Sequence, residues 1–560
     1  MNTYDIKPFG AIPTDLQIAH MNMEKKAFFH YGMNTFTNAE WGTGEEFSSQ
    51  FAPTTVDTDQ WIEVAQKAGF QLAILTVKHH EGFCLWQTKY SEQSIKNSPY
   101  QQGKGDIVRQ FTDSCKKYGM KAGLYISPWD RNSPYWGTDD YNDYYANQLV
   151  ELLTNYGKLH EIWWDAAGSG EAKYDWKRWA DLIHQYQPEA LIFGSLGATP
   201  HTSLRWVGNE RGFAGETHYA SIEAATVEKE IGKQMNIGMI GGNRYLPAEV
   251  DVSIRPGWFF HESKTKQVRS PKQVDDYWFH SVGRNAMLLL NFPPNRDGVV
   301  HEVDAKRAIE SHQRIQTMLK TDYALGAIGT AESVYCEETK ADNLFDGNDE
   351  TFYAAEQSQK SAKIEITLKT RAKFNTFCIS EVFELGERIT SFVLTNRETG
   401  DVITQGTSVG RKKFMRFPYV ETQHLCLWIQ GMAAPVMRGF HLYDYIPPQE
   451  EQEVETTVNL MTADGAKVEY SKDKRTAVLA FGGIYPFDTV EFETKEPSEY
   501  EIFAFNGSSY DSIVHGRNDG VKCRLNFKPI EGCYQIKLVV TSPFLESASF
   551  AVYKSIEKGN

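Results

Sequence analysis

Residues 24–325 repeat one unit: a short apolar run, a polar or aromatic cluster, then a longer helical pattern. The strand candidates are Ala27–His30, Leu72–Thr76, Lys121–Ser127, Glu161–Trp164, Leu191–Phe193, Arg205–Val207 and Met287–Asn291. Helices are expected over Thr58–Ala68, stopped by Gly69, and Ile107–Tyr118, stopped by Gly119, with Asp139–Asn155 and Tyr174–Tyr186 in the same style. Glycine just past a last turn is a common stop, because it takes the left-handed conformation there at no steric cost. Alternation sustained over such a stretch fits a (β/α)8-like barrel, an α/β fold, better than an open sheet. The part from 195 to 260 is loop-rich and lacks clean helices, so the barrel is expected to be irregular there.

In such a barrel the C-terminal strand ends open on one mouth, where the chemistry sits. His30-Tyr31-Gly32-Met33-Asn34 follows the first candidate strand, Lys78-His79-His80-Glu81-Gly82-Phe83 the second and Pro128-Trp129-Asp130-Arg131 the third. Val207-Gly208-Asn209-Glu210 follows a later one. Glu161-Ile162-Trp163-Trp164-Asp165 runs straight into a carboxylate and is then broken by Ala166-Ala167-Gly168-Ser169-Gly170. That pattern reads as a buried strand ending on an acid at a cavity edge, or as an acid that caps the next turn. Asp165 and Glu210, both near strand ends, are the pair that glycosidic cleavage would need: one carboxylate kept ionised, one carboxyl kept protonated. Glu210 alone reads more readily as a loop carboxylate at the surface. His30, His79 and His80 suit hydrogen bonds to ligand hydroxyls or the stitching of loops, and Trp41, Trp129 and Trp258 suit stacking on a sugar face or plugging the rim.

From about residue 326 the helical period fades. Alternating runs at Lys363–Leu368, Thr376–Ser380, Ile389–Thr395, Gln423–Ile429 and Phe440–Tyr445 are β-sandwich signals. The stretch 343–353, Asn-Leu-Phe-Asp-Gly-Asn-Asp-Glu-Thr-Phe-Tyr, resembles the opening of discoidin-like galactose-binding sandwiches, and that resemblance implies a structural calcium ion. A polar, acidic linker from Pro447 to Glu453 leads to Lys467–Ser471, Thr476–Ala480, Thr489–Thr494, Glu499–Phe505 and Tyr534–Thr541, a second sandwich with no catalytic grouping. The expected division is 1–325, 326–447 and 448–560.

Several classes are set aside. The 560 residues carry a net charge of -15 and no basic run, which disfavours a polyanion partner. There is no apolar stretch long enough to span a membrane. The seven cysteines include no CxxC pair, and neither HExxH nor HxxE spacing accompanies His79-His80, so a metal is not expected at the site. Cys523 and Cys533 are expected as buried free thiols. A GxSxG elbow and a phosphate-binding glycine loop are both lacking. The opening Met1-Asn2-Thr3-Tyr4-Asp5 has no charged-then-apolar leader, which fits a cytoplasmic chain or one whose leader has been removed.

Four ordered motifs carry a family resemblance. Phe29 to Thr37 (Phe-His-Tyr-Gly-Met-Asn-Thr-Phe-Thr), Thr76 to Trp86, Gly123 to Asp130 and Trp163-Trp164-Asp165 together resemble the α-L-fucosidases of glycoside hydrolase family 29, and Asn285 to Asn291 resembles that family's last barrel strand. The resemblance implies an exo-acting retaining hydrolase without cofactor, with Asp165 as nucleophile. Ala166 stands where the family usually has glycine. Val207-Gly208-Asn209-Glu210 resembles the branch strict for α-1,3 and α-1,4 linkages, which makes Glu210 the acid/base and Glu216 its rival. His30, Glu40, Trp41, His79, His80 and Trp129 would line the fucose pocket, completed by Arg255 and Trp258. Glu249 and Asp251 are candidates for contacting a neighbouring galactose. The expected partner is a fucosylated glycan, and family habit implies export to the periplasm or beyond. A broad-specificity fucosidase that also cleaves α-1,2 links, and a non-catalytic sugar-binding barrel, remain open alternatives.

Overall fold

The computed structural model describes residues 5–165, 167–169, 172–194, 196–224, 235–449, 460–462, 466–505, 509–518, 522–545 and 550–553. Ala166 and part of the expected linker, residues 450–453, lie outside them. Eight parallel strands close into a barrel: β1 Lys25–Phe29, β2 Leu72–Lys78, β3 Lys121–Ile126, β4 Glu161–Trp163, β5 Leu191–Gly194, β6 Leu204–Trp206, β7 Ala248–Ser253 and β8 Met287–Asn291. Each pairs with its neighbour in sequence, and β8 closes on β1 with Lys26 opposite Leu289. Helices cover the outside, and their starts are written in the sequence. Asp57, Asp106 and Asp175 each accept the backbone N–H three residues on, as N-caps of Thr58–Lys67, Ile107–Tyr118 and Trp176–Tyr186. Gly119 ends the second of these helices at φ 68°, as its position after Tyr118 implied.

Side chains alternate across each strand, so every barrel strand has an inner and an outer face. Ala27 and Phe29 point out, where Phe29 stacks on Trp61 of the first helix. Phe28 points in. On β4 the same alternation puts Glu161, Trp163 and then Asp165 inside, while Ile162 and Trp164 face the helices, with Trp164 against Trp176. The interior is therefore layered. Its floor is ionic: the Lys26 ammonium lies among Glu161, Glu249 and His20, all essentially buried, and Trp163 donates to Glu249 at 3.2 Å. Above the floor is an aromatic layer in which Trp163 stacks on Phe193 with centroids 3.9 Å apart. The mouth lies above that.

Strand β7 corrects the sequence reading. Ala248–Ser253 lies in the stretch expected to be loop-rich and is not among the strand candidates; its acids Glu249 and Asp251 alternate with valine. Both acids point into the barrel, Glu249 to the floor and Asp251 to the upper layer, where Trp206 donates to it at 2.8 Å. Glu249 is thus not available to a galactose, and Asp251 is 2% exposed.

The remaining chain is sheet. A seven-stranded sheet holds the core of Phe374, Phe377, Phe392 and Phe440. The runs expected at Lys363–Leu368 and Thr376–Ser380 are two ends of one long strand, Ser361–Glu381, kinked by register shifts between them. This sheet docks on the barrel: Phe414 and Tyr445 pack on Trp278 and Phe279, and Tyr445 donates to Asp275 at 2.8 Å. A six-stranded sheet follows, with its own core around Phe481, Phe492 and Phe544. Cys523 and Cys533 are buried free thiols within it.

The loop at 343–353, where the resemblance implies calcium, is tied together by Asp346. Asp346 spends one oxygen on the Asn348 amide and the other on the Thr351 hydroxyl. Among the described residues, the cluster of His or acid groups with metal-like spacing is His20, Glu161 and Glu249, where Lys26 already supplies the cation. No helix among the described residues is long and apolar enough to cross a membrane.

Candidate active site

Asp165 stands one position beyond Trp164 at the top of β4, its side chain 25% exposed into the mouth. Its Oδ1 accepts the Ala167 amide at 2.9 Å and its Oδ2 accepts the Tyr125 hydroxyl at 3.1 Å. Burial raises its carboxyl above the ordinary value; the Ala167 amide, the charge of His79 and the Tyr125 hydroxyl oppose that rise. The turn that follows depends on Gly168. It takes φ +72°, and a Cβ there would lie 2.0 Å from the Trp129 ring.

Glu210 lies in the loop after β6, close enough to Asp165 to feel its charge. Burial, and next the negative charge of Asp165, raise its carboxyl to about 7; a hydrogen bond from Trp258 opposes this and the charge of Glu40 adds to it. Asp251, below, is held well above its ordinary value first by burial and then by Glu210. Its rival Glu216 points to solvent, 89% exposed.

The histidines show which way their protons point. The Ser127 hydroxyl donates to the Trp129 carbonyl at 2.7 Å, so the 2.7 Å contact between Ser127 Oγ and His80 Nδ1 has His80 as donor. Burial holds His80 well below its ordinary value, so it is neutral, and its Nε2 is a bare acceptor 3.6 Å from Asp165 Oδ2. His30 repeats the pattern. Asn291 donates its amide to Ser253 and to the Trp258 carbonyl, so its Oδ1 accepts from His30 Nδ1 at 3.0 Å. Burial keeps His30 neutral as well. Two imidazoles thus present acceptor nitrogens to the cavity, which suits sugar hydroxyls as donors. His79 lies between them, its ring 4.1 Å from His80 and its Nδ1 near Asn34 and Glu81.

Glu40 anchors the opposite wall. It accepts the Trp258 amide at 2.7 Å and His261 Nε2 at 2.7 Å, with Lys264 at 3.5 Å. Burial pushes its carboxyl up, but the His261 hydrogen bond and the neighbouring positive charges hold it below the ordinary value. Gly257, at φ +80°, lets the chain pass this carboxylate; a Cβ there would sit 2.0 Å from Glu40 Oε1. Trp258 lies beside His30, with ring centroids 5.0 Å apart. Trp41, 48% exposed, meets both His80 and Trp129 edge-on at the rim.

Arg255, expected in the pocket, is held by the protein on one side. Its guanidinium reaches Asp304 through Nε at 2.5 Å and Thr265 through Nη1 at 3.2 Å and lies over the Phe260 ring, while its buried Nη2 has no partner among the described residues. It ties its loop to the helix Glu302–Leu319. Conversely, Tyr125, Ser127, His261 and Asn291 were not singled out. Period-2 alternation from Gly123 would have turned Tyr125 and Ser127 inward; no such signal marks His261.

The α-L-fucosidase family model matches residues 13–312, the whole of the barrel. The chain belongs to the α-L-fucosidases of glycoside hydrolase family 29. Alpha-L-fucosidase 1 of Arabidopsis thaliana is 38% identical over 455 residues, spanning 78% of this chain and 88% of its own. A Ruminococcus gnavus family 29 fucosidase, solved in complex with fucose, aligns at 29% identity with a TM-score of 0.73, covering 79% of this chain and 97% of that one. A family 29 member from an unknown rumen bacterium aligns over 98% of this chain and 100% of its own, at 28% identity and a TM-score of 0.70. This fucosidase is accordingly a glycoside hydrolase, on a barrel followed by sheet domains.

Proposed function

We propose that this fucosidase removes terminal L-fucose from α-1,3 and α-1,4 linkages in branched, Lewis-type glycans, with retention of configuration. Retention is supported by the resemblance of Trp163-Trp164-Asp165 to the family's nucleophile motif; the chemistry of cleavage is supported by the pairing of Asp165, served by two donors, with Glu210, raised to about 7 by burial and by Asp165 itself. One carboxyl has donors that favour its anion and the other is kept an acid, as acid-assisted glycosidic cleavage requires. Asp165 Oδ attacks the anomeric carbon while Glu210 gives its proton to the glycosidic oxygen, and the remaining glycan leaves as an alcohol. Glu210, now a carboxylate, takes a proton from water. The water oxygen then displaces Asp165 and releases α-L-fucose. Both groups belong to the chain, and no cofactor enters.

His30, His79 and His80 receive the fucose hydroxyls, Glu40 holds the far wall, and Trp258 packs on the C5 methyl that distinguishes fucose from galactose. The linkage preference is supported by the resemblance of residues 207–210 to the strict branch. A panel of Lewis a and Lewis x trisaccharides, 2′-fucosyllactose and an aryl fucoside tests it: release from the Lewis compounds alone is expected. Rapid release from 2′-fucosyllactose would replace this reading with a broad-specificity fucosidase. In Asp165→Ala, azide is expected to restore turnover as a glycosyl azide of inverted configuration, and full activity of that variant without azide would remove Asp165 as nucleophile.

A further inference from the structure

Glu210 rides on the segment 207–222, and the far end of that segment is fastened by the seven-stranded sheet. The Glu387 carboxylate, 1% exposed, accepts the Ala220 amide at 2.8 and 3.0 Å and the Ser221 amide at 3.2 Å. Asn285 donates to the same carboxylate, and its own carbonyl oxygen accepts the Arg411 amide at 2.7 Å. Ser408 Oγ accepts the His218 amide at 2.7 Å, and the Thr407 and Thr217 hydroxyls meet at 2.7 Å. Lys413 donates to the Glu216 carbonyl. From the barrel side, Arg205 of β6 donates to the Tyr219 and Ala220 carbonyls, both at 2.9 Å. The near half of the segment is closed on itself, with Asn209 accepting the Arg211 amide and donating to the Phe213 carbonyl.

A buried carboxylate spent on two backbone amides is a costly way to join two domains, since an apolar contact would serve stability as well. What the carboxylate adds is direction: it fixes the 218–221 backbone to a point on the sheet. Proton donation is sensitive to placement, and a misplacement of about 1 Å far from the chemistry costs up to about 100-fold. We infer that Glu387, with Ser408, is a positioning residue for Glu210, so that the sheet domain sets the geometry of the proton donor without lending a group to the pocket. This rests on Glu210 as the acid/base.

The role has a signature that a structural one lacks. A sugar alcohol leaves only when protonated, whereas a 2-chloro-4-nitrophenolate leaves with little help. The experiment measures kcat/KM for Glu387→Ala, Ser408→Ala and Glu210→Gln in the full chain, on a Lewis trisaccharide and on the 2-chloro-4-nitrophenyl fucoside. Glu387→Ala is expected to lose on the order of 10- to 100-fold on the trisaccharide and to stay within about twofold on the aryl fucoside. Ser408→Ala should show the same asymmetry, smaller, and it carries the test if Glu387→Ala does not fold. Equal losses on both substrates, or none in either sheet variant, overturn the inference. Glu210→Gln separates the two readings: if its own losses are equal on both substrates, the acid/base assignment fails, whatever Glu387→Ala does.

Discussion

Tyr125→Phe removes one oxygen and keeps the ring that stacks on Trp163 at 5.4 Å, so it isolates the hydroxyl bonded to Asp165. Burial holds the Tyr125 phenol well above its ordinary value, so it is a donor throughout the working range. A hydrogen bond to a charged group contributes about 1.5–3 kcal/mol. Asp165 is 25% exposed, and the bond is 3.1 Å long, so the lower end, about 1.5 kcal/mol, applies. Losing it disfavours the carboxylate and raises the Asp165 pKa by about one pH unit, because each unit corresponds to about 1.36 kcal/mol. The nucleophile is active only when ionised, so the acid limb of kcat/KM should move up by that amount. The alkaline limb, set by Glu210, should stay in place. The assay is kcat/KM against pH on a Lewis trisaccharide for both proteins. An unmoved acid limb with a lowered plateau would mean that Tyr125 only shapes the site, and a limb moved to lower pH would refute the electrostatic account altogether.

Wild-type kcat/KM on a sugar leaving group should fall as pH rises through about 7, where Glu210 loses the proton it must donate, and the fall should vanish in Glu210→Gln. Arg255→Ala should lower stability by about 3–5 kcal/mol in urea or thermal melts, because it strands buried Asp304, while KM for the aryl fucoside stays near the wild-type value; a KM increase without a stability loss would place Arg255 in the pocket. Gly168→Ala imposes backbone strain of about 1–3 kcal/mol at φ +72° and pushes on Trp129, so kcat/KM should drop several-fold with a small change in melting temperature.

What was legible in the sequence follows from what each element buries. Strands with apolar runs, and helices opened by Asp57, Asp106 and Asp175, announce themselves through periodicity and caps. Their polar ends mark the mouth, which is why Asp165, Glu210 and His30 were found. β7 was hidden because its inner face is acidic: Glu249 answers Lys26 from β1 and Asp251 answers Trp206 from β6, and a partner on another strand leaves no trace in the local pattern. The partner of Arg255 is hidden for the same reason. An arginine beside a pocket tryptophan looks like a ligand contact, and only the helix at 302–319 shows that its partner is Asp304. His261, seen as one imidazole after two phenylalanines, becomes a wall residue only through Glu40, far away in sequence.

The same nonlocality decides how the carboxyl groups of the cavity divide their work. Asp165, Glu210, Asp251 and Glu40 share one region, and residue type does not separate them. Donors do. Glu40 has His261, Lys264 and the Trp258 amide, and is held below its ordinary value despite burial. Asp165 has an amide and a phenol, which oppose its burial. Glu210 has the Trp258 side chain against both burial and the charge of Asp165, and so keeps its proton to about 7. On the retaining reading this last dependence drives the cycle. Once Asp165 becomes an ester its charge is gone and, although burial and Glu40 remain, the Glu210 carboxyl loses one of the influences that held its proton. Its pKa falls at the step where it must change from acid to base. Part of what prepares Glu210 to donate is therefore removed by the donation step itself, so the same pair of residues serves both halves of the reaction.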